Sequence, residues 1–158
     1  MPGRKNMILS FVIALGVAPS ATSGFAQSLA NDIVGTWALV QAAPFGPTPK
    51  GIIMFDANGH FSAILTRSDL PKFVSNNRTQ GTPDEYKATV EGSLAFFGTY
   101  SVSGTDLNLH IVGSTFANWN GGDQKRISVS ASAEEFRFTQ PTPSGGSSAE
   151  ATIWSRMK

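Results

Sequence analysis

Cysteine is absent from this chain of 158 residues, and histidine occurs only twice, as His60 and His110. Without cysteine there can be no disulfide bond, no thiol nucleophile and no lipid attached through a cysteine, so the fold must depend on its core alone. Two histidines are too few for a zinc site, which takes three or four ligands, several of them His or Cys. The serines form no Gly-x-Ser-x-Gly motif. We therefore predict no metal site, no cofactor and no catalytic residue.

Charged residues are also few, with 12 Lys and Arg against 11 Asp and Glu. They form no basic cluster of the kind that binds nucleic acids or anionic membranes, so neither partner is predicted. Beyond the amino-terminal segment, no apolar run is long enough to span a membrane.

The one long apolar run lies near the amino terminus and predicts a secretory signal peptide. Arg4 and Lys5 precede it, Met7 to Ala18 is apolar except for two residues, and Gly24 and Ala26 are small residues suited to a cleavage site. A membrane anchor is the alternative, but a run of about a dozen residues falls short of the roughly twenty that span a bilayer. We expect cleavage after Ala26, a periplasmic or secreted location, and a net charge that falls from +1 to −1.

Residues 27–158 suit one domain and are predicted to form short strands separated by turns. Apolar and polar residues alternate along most of these segments, which is the period of a strand with one buried face. Eight strands are predicted, at about Gly35–Gln41, Lys50–Asp56, His60–Arg67, Leu94–Val102, Leu107–Val112, Arg126–Ala131, Phe136–Thr139 and Ala149–Arg156. The short connections favour an all-β antiparallel barrel, whose interior either fills with side chains or holds one small ligand.

The turn between the second and third strands has a specific signal. Asp56-Ala57-Asn58-Gly59 is predicted to form a tight hairpin, with Asn58 and Gly59 supplying the positive φ angles.

One short helix is predicted between the third and fourth strands. Thr82 can cap it, Pro83 suits its first position, and Glu85 completes a capping box. The helix should end at about Glu91, and Tyr86 and Val90, four residues apart on one face, should dock it on the barrel.

Seven short segments stand out by their order and spacing. They are Ile33-Val34-Gly35-Thr36-Trp37, Pro49-Lys50-Gly51, Phe55-Asp56-Ala57-Asn58-Gly59, Gly81-Thr82-Pro83-Asp84-Glu85-Tyr86, Phe97-Gly98-Thr99-Tyr100, Asn118-Trp119 with Gly121, and Gln124-Lys125-Arg126. Together they resemble the lipocalin-like domain family of bacterial and fungal proteins over roughly Val34 to Arg156. The resemblance implies an eight-stranded calycin-like barrel with one short helix.

The resemblance also implies how the barrel closes. In lipocalin-type barrels a Gly-x-Trp segment opens the first strand and an Arg leaves the last, with the Trp plugging one end and the Arg packed across it. Gly35, Trp37 and Arg156 occupy these places here. We expect the side chains of Trp37 and Arg156 to be in contact.

Five residues are candidates for binding a ligand inside the barrel. Tyr100, His110 and Arg126 lie on three later strands and are expected to converge as the polar lining of an apolar cavity, with Trp119 and Arg67 completing the set. A buried arginine without an acidic neighbour would favour an anionic ligand group such as a carboxylate.

Strand parity leaves the orientation of these residues open. His110 faces the cavity only if Leu109 and Ile111 pack outward. For the arginines the alternative is a solvated rim, where Asp69 or Asp123 would pair with them. In the sixth strand, Arg126 is expected to share a face with Ser128 and Ser130.

Three functions remain open. The first is a carrier of a small hydrophobic or amphipathic molecule, favoured by the barrel, the signal peptide and the lack of a catalytic constellation. The second is an isomerase or cyclase in which one or two polar groups shift protons inside the barrel, an analogy at the level of fold only. The third is a filled barrel that acts as a structural or interaction module. The oligomeric state is left open.

Overall fold

The computed structural model describes residues 22–146, 149 and 151–158. Eight strands form one closed antiparallel barrel. They are β1 Gly35–Gln41, β2 Lys50–Phe55, β3 His60–Thr66, β4 Ser93–Ser103, β5 Asp106–Ser114, β6 Asp123–Ala131, β7 Glu135–Thr139 and β8 Ala151–Arg156. Two helices accompany them, α1 Thr22–Asp32 and α2 Pro83–Glu91. The all-β architecture and the predicted strands are confirmed.

Each strand pairs with the next along the chain, and β8 returns to pair with β1. In that last pairing Trp37 lies opposite Arg156, and Leu39 opposite Trp154. Because the sheet closes on itself, no strand edge is left to pair with another chain.

The two ends of the barrel differ. Short turns join β2 to β3, β4 to β5 and β6 to β7, and all of them lie at the end where Trp37 sits. The longer connections, residues 42–49, 67–92 and 115–122 and the segment that starts at Gln140, lie at the opposite end. We call this second end the open end, and it frames the candidate site.

Alternation along the strands determines the interior. Leu107, Leu109 and Ile111 of β5 are almost fully buried, and Phe96 of β4 and Phe136 of β7 are buried with them. Burial of large apolar side chains is the main stabilising contribution available to a chain without cysteine.

Strand β6 departs from the predicted alternation. Ser128 has a positive φ of 53°, and between Ile127 and Ser130 the pairing with β7 gains one residue on the β6 side. This β-bulge shifts the parity, so Arg126 and Val129 are both buried while Ser128 is exposed. The expectation that Arg126 shares a face with Ser128 and Ser130 is therefore wrong.

The predicted hairpin is present, with a different turn geometry. Only Gly59 has a positive φ, at 87°, whereas Asn58 does not. The Asp56 carboxylate accepts hydrogen bonds from the backbone N–H groups of Asn58 and His60. A turn followed by one left-handed glycine needs only that single residue to have positive φ.

Helix α2 has the predicted capping box: the Thr82 hydroxyl accepts from the Glu85 N–H, and the Glu85 carboxylate accepts from the Thr82 N–H. The same carboxylate accepts from the Val74 N–H, and these backbone bonds hold its pKa below the ordinary value. Docking through Tyr86 and Val90 is not observed, because both side chains are exposed. The helix is tied to the loop before it.

Helix α1 was not predicted, since its residues were assigned to the leader and the approach to β1. Leu29 and the following Ile33 are buried in the core. Residues 1–21, which hold most of the predicted signal peptide, lie outside the described residues. The predicted cleavage after Ala26 falls within α1 and would leave Leu29 and Ile33 in the domain.

Candidate functional site

The end of the barrel near α1 is sealed. The Trp37 ring is fully buried and its indole N–H donates to the Ile33 carbonyl at 2.8 Å. The Arg156 guanidinium carbon lies 3.9 Å from the centroid of that ring. The guanidinium also donates to three backbone carbonyls, those of Asp32, Val34 and Ala133. The contact expected between Trp37 and Arg156 is present.

Gly35 belongs to the same seal. Its φ is 132°, which favours glycine, and a Cβ there would lie 2.7 Å from Nη1 of Arg156. The glycine thus allows the guanidinium to reach the Val34 carbonyl. These three residues close this end of the barrel.

A cavity of about 70 Å³ lies inside the barrel towards the open end, and we call it the barrel cavity. Its walls are largely apolar, with Ile53, Leu65, Phe96 and Leu109 among them. Its volume is well below the roughly 300–1,000 Å³ of drug-sized ligand pockets.

Among the described residues, Arg126 is the charged group in the wall of the barrel cavity. Its side chain is 1% exposed, and its Nη1 donates to the Lys125 carbonyl at 3.1 Å. The guanidinium carbon lies 5.6 Å from the ring centroid of Phe138 and 5.9 Å from that of Trp119. Desolvation lowers the pKa of Arg126 to about 10, so the group is still charged at neutral pH.

No carboxylate compensates this charge among the described residues. The ion pairs of those residues involve other side chains, and Lys125, next in sequence, pairs with Asp106 on the outer face. The indole N–H of Trp154, which also lines the cavity, has no hydrogen-bond partner within the described part of the chain. A buried cation and a buried donor at one cavity both favour an acceptor, and an anion satisfies the cation best.

Tyr100 and His110 do not join Arg126 at the cavity. Tyr100 points inward nearer the sealed end, where its hydroxyl donates to the Asp56 carbonyl at 2.7 Å and burial raises its pKa. His110 lies on the outer face, with its side chain 53% exposed and Nδ1 2.8 Å from the Asp123 carboxylate. Leu109 and Ile111 of β5 face inward, and successive residues of a strand face opposite sides, so His110 faces outward. The expectation that His110 lines the cavity is therefore wrong.

Arg67 lies at the rim, where its guanidinium makes two hydrogen bonds to the Asp69 carboxylate, at 2.9 and 2.7 Å. The solvated alternative therefore describes Arg67 but not Arg126. Trp119 is buried near Arg126 and packs against Phe96 with the ring centroids 5.4 Å apart.

Several residues of the site were not identified from the sequence. Phe138 and Trp154 could have been found, because each alternates inward along a predicted strand. Phe45 could not, since it reaches the cavity from a 3₁₀ turn, Ala43–Phe45, in a proline-rich connection. No group of three or more His, Cys, Asp or Glu that could hold a metal occurs in the described residues.

No helix within residues 22–146 and 151–158 is long and apolar enough to cross a membrane.

Comparison with known proteins gives two findings. A family model described as a lipocalin-like domain matches residues 34–157. Among solved structures, a lipocalin-like protein from Bacteroides uniformis is similar, with 18% identity over 80% of this chain and 99% of that one, and a TM-score of 0.42. No curated protein matches this chain.

Proposed function

Because the chain belongs to the lipocalin-like domain family and its barrel buries an arginine beside a cavity, we propose that it binds a small amphipathic molecule with an acidic group. The acidic group pairs with Arg126, and the apolar walls contact the rest of the molecule. Tyr100, His110 and Arg67 have no part in this site, because the first is bonded elsewhere and the other two are exposed.

The observation that carries the proposal is that the charge of Arg126 has no carboxylate partner among the described residues. Removing a cation from water is costly unless an anion and hydrogen bonds replace the lost solvent. The described contacts of the Arg126 guanidinium are one hydrogen bond to a backbone carbonyl and two aromatic rings, and these do not replace an anion. A carboxylate offers two acceptors that match the planar guanidinium.

The test compares butyrate with butyramide, which match in size and differ in charge. We expect Arg126→Ala to weaken butyrate binding by more than about 1.5 kcal/mol, or more than tenfold, while butyramide changes little. Titrations followed by NMR measure both dissociation constants. Arg67→Ala is the matched control, since that arginine is exposed and paired with Asp69.

Equal affinity for both probes in wild type and Arg126→Ala would contradict the proposal. Glu150 lies outside the described residues, so Glu150→Gln belongs in the same titration series. Tighter butyrate binding by that variant would indicate that the chain supplies its own counter-charge when no ligand is bound.

A filled barrel is the second candidate, and the small volume of the barrel cavity favours it. Native mass spectrometry of protein purified from its own host distinguishes the ligand carrier from the filled barrel. A retained small molecule supports the carrier, whereas a mass equal to that of the chain alone, together with no binding of either probe, supports the filled module. The isomerase or cyclase has no comparable support, because His110, its candidate for proton transfer, lies on the outer face.

We also propose that the protein acts after export, in the periplasm or outside the cell. The charged start and apolar run of residues 4–18 support this location. The mass of the protein recovered from the periplasm or medium should match residues 27–158. Recovery of the full-length chain from the cytoplasm would contradict the proposal.

A further inference from the structure

Val90 is an apolar side chain that the fold leaves exposed. It lies in the last turn of α2 and is 76% exposed, although its position would have allowed it to dock on the barrel. It lines a groove of about 460 Å³ at the open end, which we call the mouth groove. Phe116, Pro44, Phe45 and Leu94 supply most of the remaining apolar wall of this groove.

The mouth groove and the barrel cavity adjoin each other. Phe45, Leu94 and Pro44 line both spaces, so the two spaces share a wall at these side chains. Phe45 is half-buried and sits in the short 3₁₀ turn, followed by Gly46 with a φ of 79°. Phe45 therefore reaches this shared wall from a loop, whereas Leu94 reaches it from β4.

The charges at the two spaces have opposite signs. Of the residues that the structure describes, Glu91 is the charged side chain that lines the mouth groove, and Arg126 is the one that lines the barrel cavity. An acidic head group is therefore repelled at the mouth and attracted inside. The apolar chain of the same molecule, in contrast, is favourably removed from water by the apolar walls of both the mouth groove and the barrel cavity.

We propose that the mouth groove holds the apolar tail of a straight-chain carboxylate whose head pairs with Arg126. The tail passes between the two spaces as Phe45 moves aside. Together the spaces provide about 530 Å³, which lies in the roughly 300–1,000 Å³ range of small-molecule pockets. This inference rests on the proposed function, and it explains why the barrel cavity alone is too small.

The test uses straight-chain carboxylates from butyrate to decanoate with the full mature protein. We expect wild-type affinity to rise at least tenfold between butyrate and decanoate, because the longer tail reaches the mouth groove. Val90→Gln should weaken decanoate at least threefold and leave butyrate unchanged. Val74→Gln is the matched control, since Val74 is 93% exposed on the same connection and does not line the groove.

The outcomes separate the two proposals. If butyrate binding depends on Arg126 but affinity does not rise with chain length, the tail site is wrong and the proposed function stands. The tail site is also wrong if Val90→Gln and Val74→Gln bind decanoate equally well. If neither carboxylate depends on Arg126, the proposed function fails and the tail site fails with it. The wild-type length series gives an answer even if a variant folds poorly.

Discussion

At the scale of a single residue, the proposed binding role of Arg126 opposes the stability of the fold. Its guanidinium is buried without an acidic partner among the described residues, and desolvation lowers its pKa to about 10. Sites that hold an uncompensated charge ready for a ligand destabilise the free protein, because the charge has lost its water. The residue that we propose to pair with an anion should therefore weaken the unliganded fold.

We expect Arg126→Met to stabilise the ligand-free protein by roughly 1–4 kcal/mol, the range seen when buried ionic groups are replaced by apolar side chains. Denaturant unfolding measures the difference. Arg67→Met, at an exposed arginine, should stay within about 0.5 kcal/mol of wild type. A loss of stability in Arg126→Met would show that its contacts with Trp119 and Phe138 outweigh the desolvation.

The lowered pKa of Arg126 also determines how this difference depends on pH. Above about pH 10, and below the higher ordinary pKa of an arginine side chain, the unfolded chain binds the proton that the folded protein has released. Stability of the wild type therefore rises with pH over this window relative to the variant. The advantage of Arg126→Met should be full at neutral pH and should shrink above about pH 10.

Among the strands, β6 is the one that positions Arg126 in the wall of the barrel cavity. Arg126 is buried because the bulge at Ser128 allows Arg126 and Val129 to face inward together. Ser128 has a φ of 53°, a conformation that costs most residues about 1–2 kcal/mol and costs glycine nothing.

We expect Ser128→Gly to leave stability unchanged or raise it by up to about 1 kcal/mol, since glycine tolerates a positive φ. Ser130→Gly, in the same strand but without a positive φ, should lower stability by about 0.5–1 kcal/mol. Thermal unfolding of the two variants gives the comparison. Equal losses in both would indicate that β6 has no bulge at Ser128.

The start of helix α2 follows from its capping residues, which are close in sequence. The capping box of Thr82 and Glu85 is present as predicted, but the exposed Val90 shows that amphipathic spacing alone does not determine where a helix docks. A nine-residue helix is marginal by itself, so its contacts with the preceding loop and its cap matter most.

On the scale of the whole molecule, the barrel has one sealed and one open end. Trp37, Arg156 and the start of β1 seal the end near α1, and every longer connection lies opposite. This polarity directs the proposed ligand to one entrance.

We expect Trp37→Ala to lower the free energy of unfolding by about 3–5 kcal/mol, because it removes a fully buried ring and its contact with Arg156. Denaturant unfolding measures this loss. Trp119→Ala, at the open end, should destabilise less and instead alter carboxylate binding. A loss below about 1 kcal/mol for Trp37→Ala would contradict the role of the seal.

The amino-acid sequence by itself determined the strands, the hairpin at Asp56–Gly59 and the cap of α2, whereas the residues of the seal came from the family resemblance. The strands, the hairpin and the cap depend on neighbours a few residues apart, through alternation, turn conformation and capping. The resemblance added the pairing of first and last strands, which no local pattern contains.

Only the tertiary structure decided which face of each strand is inside. Alternation shows which residues of a strand share a face, but not which of the two faces is buried, so the sequence left the direction of His110 open. In β6, the bulge at Ser128 also changed the alternation itself. The volume of the cavity, and the lack of an acidic partner for Arg126 among the described residues, depend on side chains brought from six other strands and two connections. Such distances arise only when the barrel closes, because packing is a property of residues distant in the chain.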